Sequence, residues 1–150
     1  MKELVVLVLA AIPVFEVRAS IPLGIAVYHL PPVTVVLLSV LGSVLPVFPL
    51  LWVLNNLTEH FRKIPKFDQF ISWLFARTRA KSKLIEDLEL VGLTLFIAVP
   101  LPGTGVWTGT IAAYLLGLRW WPTFFAGLVG TALASVVVAA ATLGVINFIL

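Results

Sequence analysis

Cysteine is absent from this 150-residue chain, methionine occurs once, and only 11% of the residues are charged. The first absence excludes a disulfide framework, thiolate chemistry and a lipoprotein-type anchor, and leaves the redox compartment unread. The scarcity of charge excludes an ordinary solvated surface, because a soluble domain carries about 25% charged residues. Between Leu90 and Leu150 the only ionisable side chains are Tyr114 and Arg119. No cluster with metal-ligand spacing, nucleophile–base arrangement or phosphate-binding loop can be picked out. Neither metal nor cofactor is therefore expected. Enzymatic activity is the least fitting class, since one Glu and one Arg within the apolar blocks are a meagre catalytic set.

What is present is apolar: 61% of residues are hydrophobic, and the mean hydropathy is +1.11. That composition belongs to an integral membrane protein. A chain of this length supplies at most about four or five crossings of about 20 residues each. One all-α membrane domain, residues 1–150, follows. The net charge of +3 reports orientation rather than a nucleic-acid partner, and none is expected. The start, "MKELVVLVLAAIPVFEVRAS", has the length of a signal peptide. Glu3 offsets Lys2, however, and no small-residue cleavage site follows the apolar stretch, so it reads as mature protein.

The hydropathy map has two halves. Repeat one covers about 1–57, a connector about 58–89, and repeat two about 90–150. The connector holds Arg62, Lys63, Lys66, Arg77, Arg79, Lys81 and Lys83, seven of the ten basic residues, which places it in the cytoplasm. Within it Phe67, Phe70, Ile71, Trp73 and Leu74 recur at helical spacing. That pattern suits an amphipathic helix lying in the interface, or equally one packing on the protein itself. The halves resemble each other: "IAVYHLPPVTVVLLSVLGSVL" from Ile25 lies over "IAAYLLGLRWWPTFFAGLVGTAL" from Ile111 with a two-residue insertion. Tyr28 then meets Tyr114, and Gly42 meets Gly130. An internal repeat of this kind is frequent among secondary transporters.

Segment lengths point to broken helices. Leu4 to Ile12 would span about 13 Å, under half of a hydrocarbon core of about 30 Å. Next come "PVFEVRASIP", bounded by Pro13 and Pro22, and a short arm from Leu23 to Leu30. The second half repeats the plan with an arm from Leu90 to Val99, the break "PLPGTG" and an arm from Val106 to Leu116. Two re-entrant hairpins, each followed by a full span (Val33–Leu54 and Pro122–Leu150), fit these lengths. The rival arrangement is four proline-kinked crossings. Pro100, Pro102, Gly103 and Gly105 remove donors and side chains over nearly two turns. Irregular backbone survives at membrane depth only beside a cavity or inside protein. Pro46 and Pro49 are expected to kink the first span, and Trp107, Trp120 and Trp121 to act as interface anchors.

"IPVFEVRASIPLGIA" together with "FIAVPLPGTGVWTGTIAAYLLG" resembles the small multidrug export family of prokaryotic membrane proteins. The marks are the E-x-R-x-x-I-P stretch of Glu16, Arg18 and Pro22, and P-x-P-G-T-G over Pro100 to Gly105. That family is more distantly similar to the DedA and SNARE-associated membrane proteins. The likeness implies two facing re-entrant hairpins in inverted repeats, a multi-pass protein of the inner (cytoplasmic) membrane, and transport of small molecules or lipid carriers. A non-transport scaffold or assembly factor is the alternative.

Glu16 and Arg18 are charges within an apolar block, costly unless paired or hydrated. On an α-helix, i and i+2 point about 200° apart, whereas extended backbone aims both to one side. A broken stretch between Pro13 and Pro22 would therefore turn both into one cavity. They would act there as an ion-pair gate, with Glu16 carrying a coupling proton and Arg18 holding an anionic headgroup. Otherwise they form a structural pair joining the hairpin tips. The N-terminus of the arm at Val106 can bind an anion, while the hydroxyls of Thr104, Thr108 and Thr110 can hold a cation. The spacing of Gly105 and Gly109 equally suits close helix packing. The candidate substrate, ion or gating residues are thus Pro13, Glu16, Arg18, Pro22, Pro100, Pro102, Gly103, Thr104, Gly105 and Thr108. Expected partners are membrane lipids, an anionic lipid or small-molecule substrate, a proton or cation, and a second copy of the chain.

Overall fold

An unbroken run of good helix formers and β-branched residues makes α1 (Lys2–Ala11). It stops because Ile12, the residue before Pro13, is driven out of the helical region to φ −83°, ψ 132°. The computed structural model describes residues 1–80 and 83–149; Lys81 of the basic connector and Leu150 at the end of the second apolar block lie outside the described residues. After a turn, α2 (Glu16–Pro22) passes into a five-residue π-helix, Leu23–Val27. Pro22 has no N–H to continue the ladder, and the hydrogen bonding widens: the Tyr28 amide donates to the carbonyl of Leu23 at 3.0 Å. The break expected across residues 13–22 is thereby confined to 12–15, and Glu16 and Arg18 both lie on helix. Pro22 removes a single donor at the end of α2 and so closes that helix without preventing it.

Pro31 and Pro32 open α3 (Pro32–Val44), with Pro32 at the first helical position, where its missing N–H is no loss. A turn at Leu45 and Pro46 leads into α4 (Val47–Phe61). Only Pro46 marks a break. Pro49 falls in the first turn of α4, where the amides have no intrahelical acceptor anyway. The amphipathic α5 (Pro65–Arg79) follows, with Ile71 buried and Phe70 and Trp73 exposed. Next, α6 (Lys83–Ala98) begins well before Leu90, so the arm is longer than its apolar part. The irregular stretch 99–105 leads to α7 (Val106–Leu116), closed by Gly117 in the left-handed region at φ 70°. The chain ends in α8 (Trp120–Ile149), 30 residues long. Among the described residues there is no strand.

Two stretches, Pro32–Phe61 and Trp120–Ile149, are long and apolar enough to cross a membrane. Only 17% of the most apolar window of α8 is buried, so α8 is not the core helix of a soluble fold. Phe125, Val129, Leu133, Val136 and Val145 stand exposed along it, a surface suited to hydrocarbon.

Each half contains a segment that doubles back. The Lys2 ammonium donates to the carbonyl of Tyr28 at 3.4 Å, bringing the start of α1 to the end of the π-helix. Arg119 and Glu86 pair at 3.0 Å, bringing the start of α6 to the residues after α7. The open end of the first segment, with Tyr28 and Leu30, packs in one cluster with Leu143 and Ile146 near the C-terminal end of α8. The open end of the second lies at the N-terminal end of α8, beside Arg119. Helix α1 packs on α3 and α6 packs on α8. A Cβ on Gly42 would strike the Leu7 carbonyl, and one on Gly130 would lie 2.7 Å from the Thr94 carbonyl. The two glycines that align in the sequence thus allow the same kind of contact, each letting a long helix approach the first arm of its own half. Between α1, α2 and α3 the interior is held by hydroxyls: Ser20 bonds to Ser39 at 2.8 Å, and Ser43 donates to the Ala10 carbonyl at 3.0 Å.

Candidate functional site

The first tip is the turn 12–15 together with Glu16. The Glu16 amide donates back to the carbonyl of Ile12 at 3.1 Å, which closes the turn. Glu16 itself sits at φ 43°, in the left-handed region that a non-glycine residue occupies at a cost. Glu16 and Arg18 both belong to α2, and both nevertheless border one cavity. Glu16 is buried and Arg18 half-buried.

The second tip is organised by Thr104. Its hydroxyl accepts from the Leu101 amide at 3.2 Å and lies 2.5 Å from the Val99 carbonyl and 2.8 Å from that of Leu101. One hydroxyl hydrogen can serve only one of those carbonyls. Gly103 takes φ 84°, a turn conformation that glycine adopts freely. Gly105 is extended, at φ 168° and ψ −174°, so its need for glycine is spatial. A Cβ there would run into the Glu16 carboxylate.

Three hydrogen bonds join the tips. The Trp107 amide donates to Glu16 Oε1 at 3.3 Å, the Trp107 indole N–H donates to the Ala11 carbonyl at 3.1 Å, and Arg18 Nη2 donates to Thr104 Oγ1 at 3.1 Å. Glu16 thus caps the N-terminus of α7 from another element, since Gly105 has no side chain to do so. The helix end expected to bind a ligand anion is taken by the protein's own carboxylate. Arg18 holds the tip loop in turn. Among the described residues no ion pair within 4.0 Å joins Glu16 to Arg18. Each charge is committed to the opposite tip.

Around these bonds lies a cavity of about 390 Å³, lined by Pro13, Val14, Glu16, Arg18, Pro102, Gly103, Thr104, Gly105, Trp107 and Thr108. Eight of the ten residues singled out in the sequence meet there. The other two, Pro22 and Pro100, line an adjoining apolar groove of about 600 Å³ along Val137–Ile146 of α8, which shares Arg18 and Pro102 with the cavity. Thr108 donates to the Gly105 carbonyl at 3.3 Å and Thr110 to that of Val106 at 2.6 Å, so both hydroxyls serve α7. Gly109 has the packing role, since a Cβ there would lie 2.7 Å from Ile97. Trp107 is a tip residue rather than an interface anchor, whereas Trp120 and Trp121 are exposed at the start of α8.

The sequence reasoning missed Thr131 on α8. It lines a small void with Glu16 and Arg18, and its hydroxyl is buried without a partner. Its only signal was polarity in an apolar span, which Thr123 and Thr142 share.

A family model described as "Putative small multi-drug export protein" matches residues 16–137, most of the chain. The matched span begins at Glu16 and includes the whole second tip. No curated protein and no solved structure matches the chain.

Proposed function

The chain belongs to the small multi-drug export protein family, and from that membership we propose that it is a multi-pass transporter of the inner membrane, working through the cavity between its two tips. The observation that carries this reading is the meeting of two broken segments, whose open ends lie toward opposite ends of α8, around Glu16 and Arg18. In a membrane such segments are re-entrant hairpins entering from opposite faces, and the tips meet at mid-depth. The matched roles of Gly42 and Gly130 support two inverted repeats of one hairpin and one span. Irregular backbone at that depth is tolerated where it lines a cavity, and rocking of one repeat against the other exposes the cavity to each side in turn. Parting of the tips breaks the Glu16–Trp107 and Arg18–Thr104 bonds, which leaves the carboxylate open to a proton or cation and the guanidinium open to an anionic small molecule or lipid headgroup. The connector is cytoplasmic, and the exposed Phe70 and Trp73 of α5 rest in the lipid interface.

The test is flux in proteoliposomes under an imposed proton gradient. The probes are ethidium, carboxyfluorescein and a fluorescent anionic phospholipid scored by dithionite accessibility. Movement of at least one probe above protein-free vesicles, lost in Glu16→Gln and Arg18→Gln variants that remain folded, is expected. No movement of any probe overturns the reading in favour of a scaffold or assembly role.

A further inference from the structure

We propose that Thr131 of α8, the Arg18 guanidinium and the Glu16 carboxylate hold one resident water where both tips meet α8, and that Thr131 is a positioning residue for Arg18. The starting point is a contrast among threonines. Thr58, Thr94, Thr110, Thr123 and Thr142 each donate to the carbonyl four residues back, at 2.6–2.8 Å. That bond is the usual outlet for a threonine hydroxyl in an apolar helix. Thr131, only 1% exposed, makes no such bond, and its Oγ1 is buried without a partner. Among the described residues two other side-chain atoms share that state, Ser135 Oγ one turn along α8 and Arg18 Nε: Nη2 reaches Thr104 while Nε, also buried, reaches nothing.

Thr131 and Arg18 line one small void with Glu16, together with Val17, Ile97, Pro100, Gly105, Val106 and Ala134. Its volume of about 10 Å³ admits one water-sized sphere. A buried water needs two to four polar partners, and about three is usual. The lining supplies three of complementary kinds: Arg18 Nε donates, the Glu16 carboxylate accepts, and the Thr131 hydroxyl does either. Larger ligands do not fit. An apolar filling would leave a guanidinium N–H and a hydroxyl unsatisfied in the interior.

The water completes an electrostatic link that the side chains do not make directly. Glu16 and Arg18 have each turned to the opposite tip, so a water between them lets the two charges offset each other while both cross-tip bonds stand. It also ties a helix long enough to span the membrane to the point where the tips part. None of this depends on what is transported or on whether transport occurs.

Radiolytic hydroxyl-radical footprinting of the purified full chain in nanodiscs tests the proposal, because X-rays cleave resident waters and label the side chains beside them. Val17 and Ile97, both buried, are expected to label in the wild type, while Val35, buried in the apolar core, does not. In Thr131→Val, which keeps the shape and removes the hydroxyl, labelling of Val17 and Ile97 should fall several-fold. Thr131→Ser should restore it. Ser135→Ala, one turn along α8 and outside the void, should leave it unchanged. Wild-type Val17 and Ile97 labelling no faster than Val35 overturns the proposal, as does equal labelling in Thr131→Val. Should that variant fail to fold, the wild-type comparison with Val35 decides alone.

Discussion

Two glycines two residues apart in the second tip should respond to alanine for different reasons, and a mutant cycle with Glu16 separates them. Gly105 is extended, a conformation open to alanine, but its added Cβ would fall within the Glu16 carboxylate. Gly103 has nothing within 4 Å of an added Cβ, yet its φ of 84° is a left-handed conformation. For Gly105→Ala the carboxylate must move off the Trp107 amide, and loss of that charge-assisted bond costs about 1.5–3 kcal/mol. For Gly103→Ala the penalty is conformational, about 1–2 kcal/mol. In a Glu16→Ala background the first penalty should largely vanish, giving a coupling energy of about 2 kcal/mol, while the second should persist with coupling near zero. Equilibrium unfolding in mixed micelles, followed by tryptophan fluorescence, measures all six proteins. If Gly105→Ala costs the same with and without the Glu16 carboxylate, the tips do not meet as described. The account fails equally if the cost of Gly103→Ala depends on Glu16.

Reporter fusions should score both termini outside and residues 60–80 inside; cytoplasmic scores at both termini would replace the re-entrant hairpins with four spans. Gly42→Ala and Gly130→Ala should each destabilise by about 1–3 kcal/mol through overpacking. The two costs should agree within about 1 kcal/mol, and a neutral change at one position would remove their equivalence. Arg18→Gln should weaken the hold on Thr104 by about 1.5–3 kcal/mol and Glu16→Gln the hold on Trp107 similarly. If the double variant were stable and fully active in the flux assay, these residues would not carry the mechanism.

Much of the helix plan was legible because hydropathy and proline act locally. Pro13 ends α1 and Gly117 ends α7 through their immediate dihedral effects, and both positions can be read without tertiary information. The apolar run after Glu89, with Arg119 as its one charged side chain, likewise follows from residue type, whereas Gly42 and Gly130 could be aligned in sequence but their tight approach appears only in the packing. The kink at Pro46 but not at Pro49 was harder, since it depends on where α4 begins. A proline in the first turn is silent, and the sequence does not mark that turn. Thr131 was illegible for a similar reason. A threonine in an apolar helix either bonds its own backbone or faces a partner, and only the neighbouring helices decide which.

Glu16 is the point where local reasoning gave the right destination by the wrong route. The expectation was that only extended backbone could aim Glu16 and Arg18 into one cavity, yet α2 is helical from Glu16 onward. Glu16 also carries a left-handed φ of 43°, at a residue type that pays for it. Such a dihedral persists only where the surroundings over-determine it, and here they do: the Trp107 amide bonds the carboxylate, and Gly105 leaves the room that a Cβ would close. The strained residue of one tip is therefore held by the helix start and the glycine of the other. Withdrawing the second tip leaves Glu16 with its strain and its charge but without the amide that offsets them, so separation of the tips must be met by relaxation of the turn at 12–15. The two breaks are in that sense one mechanical unit, and neither half of the chain contains it alone.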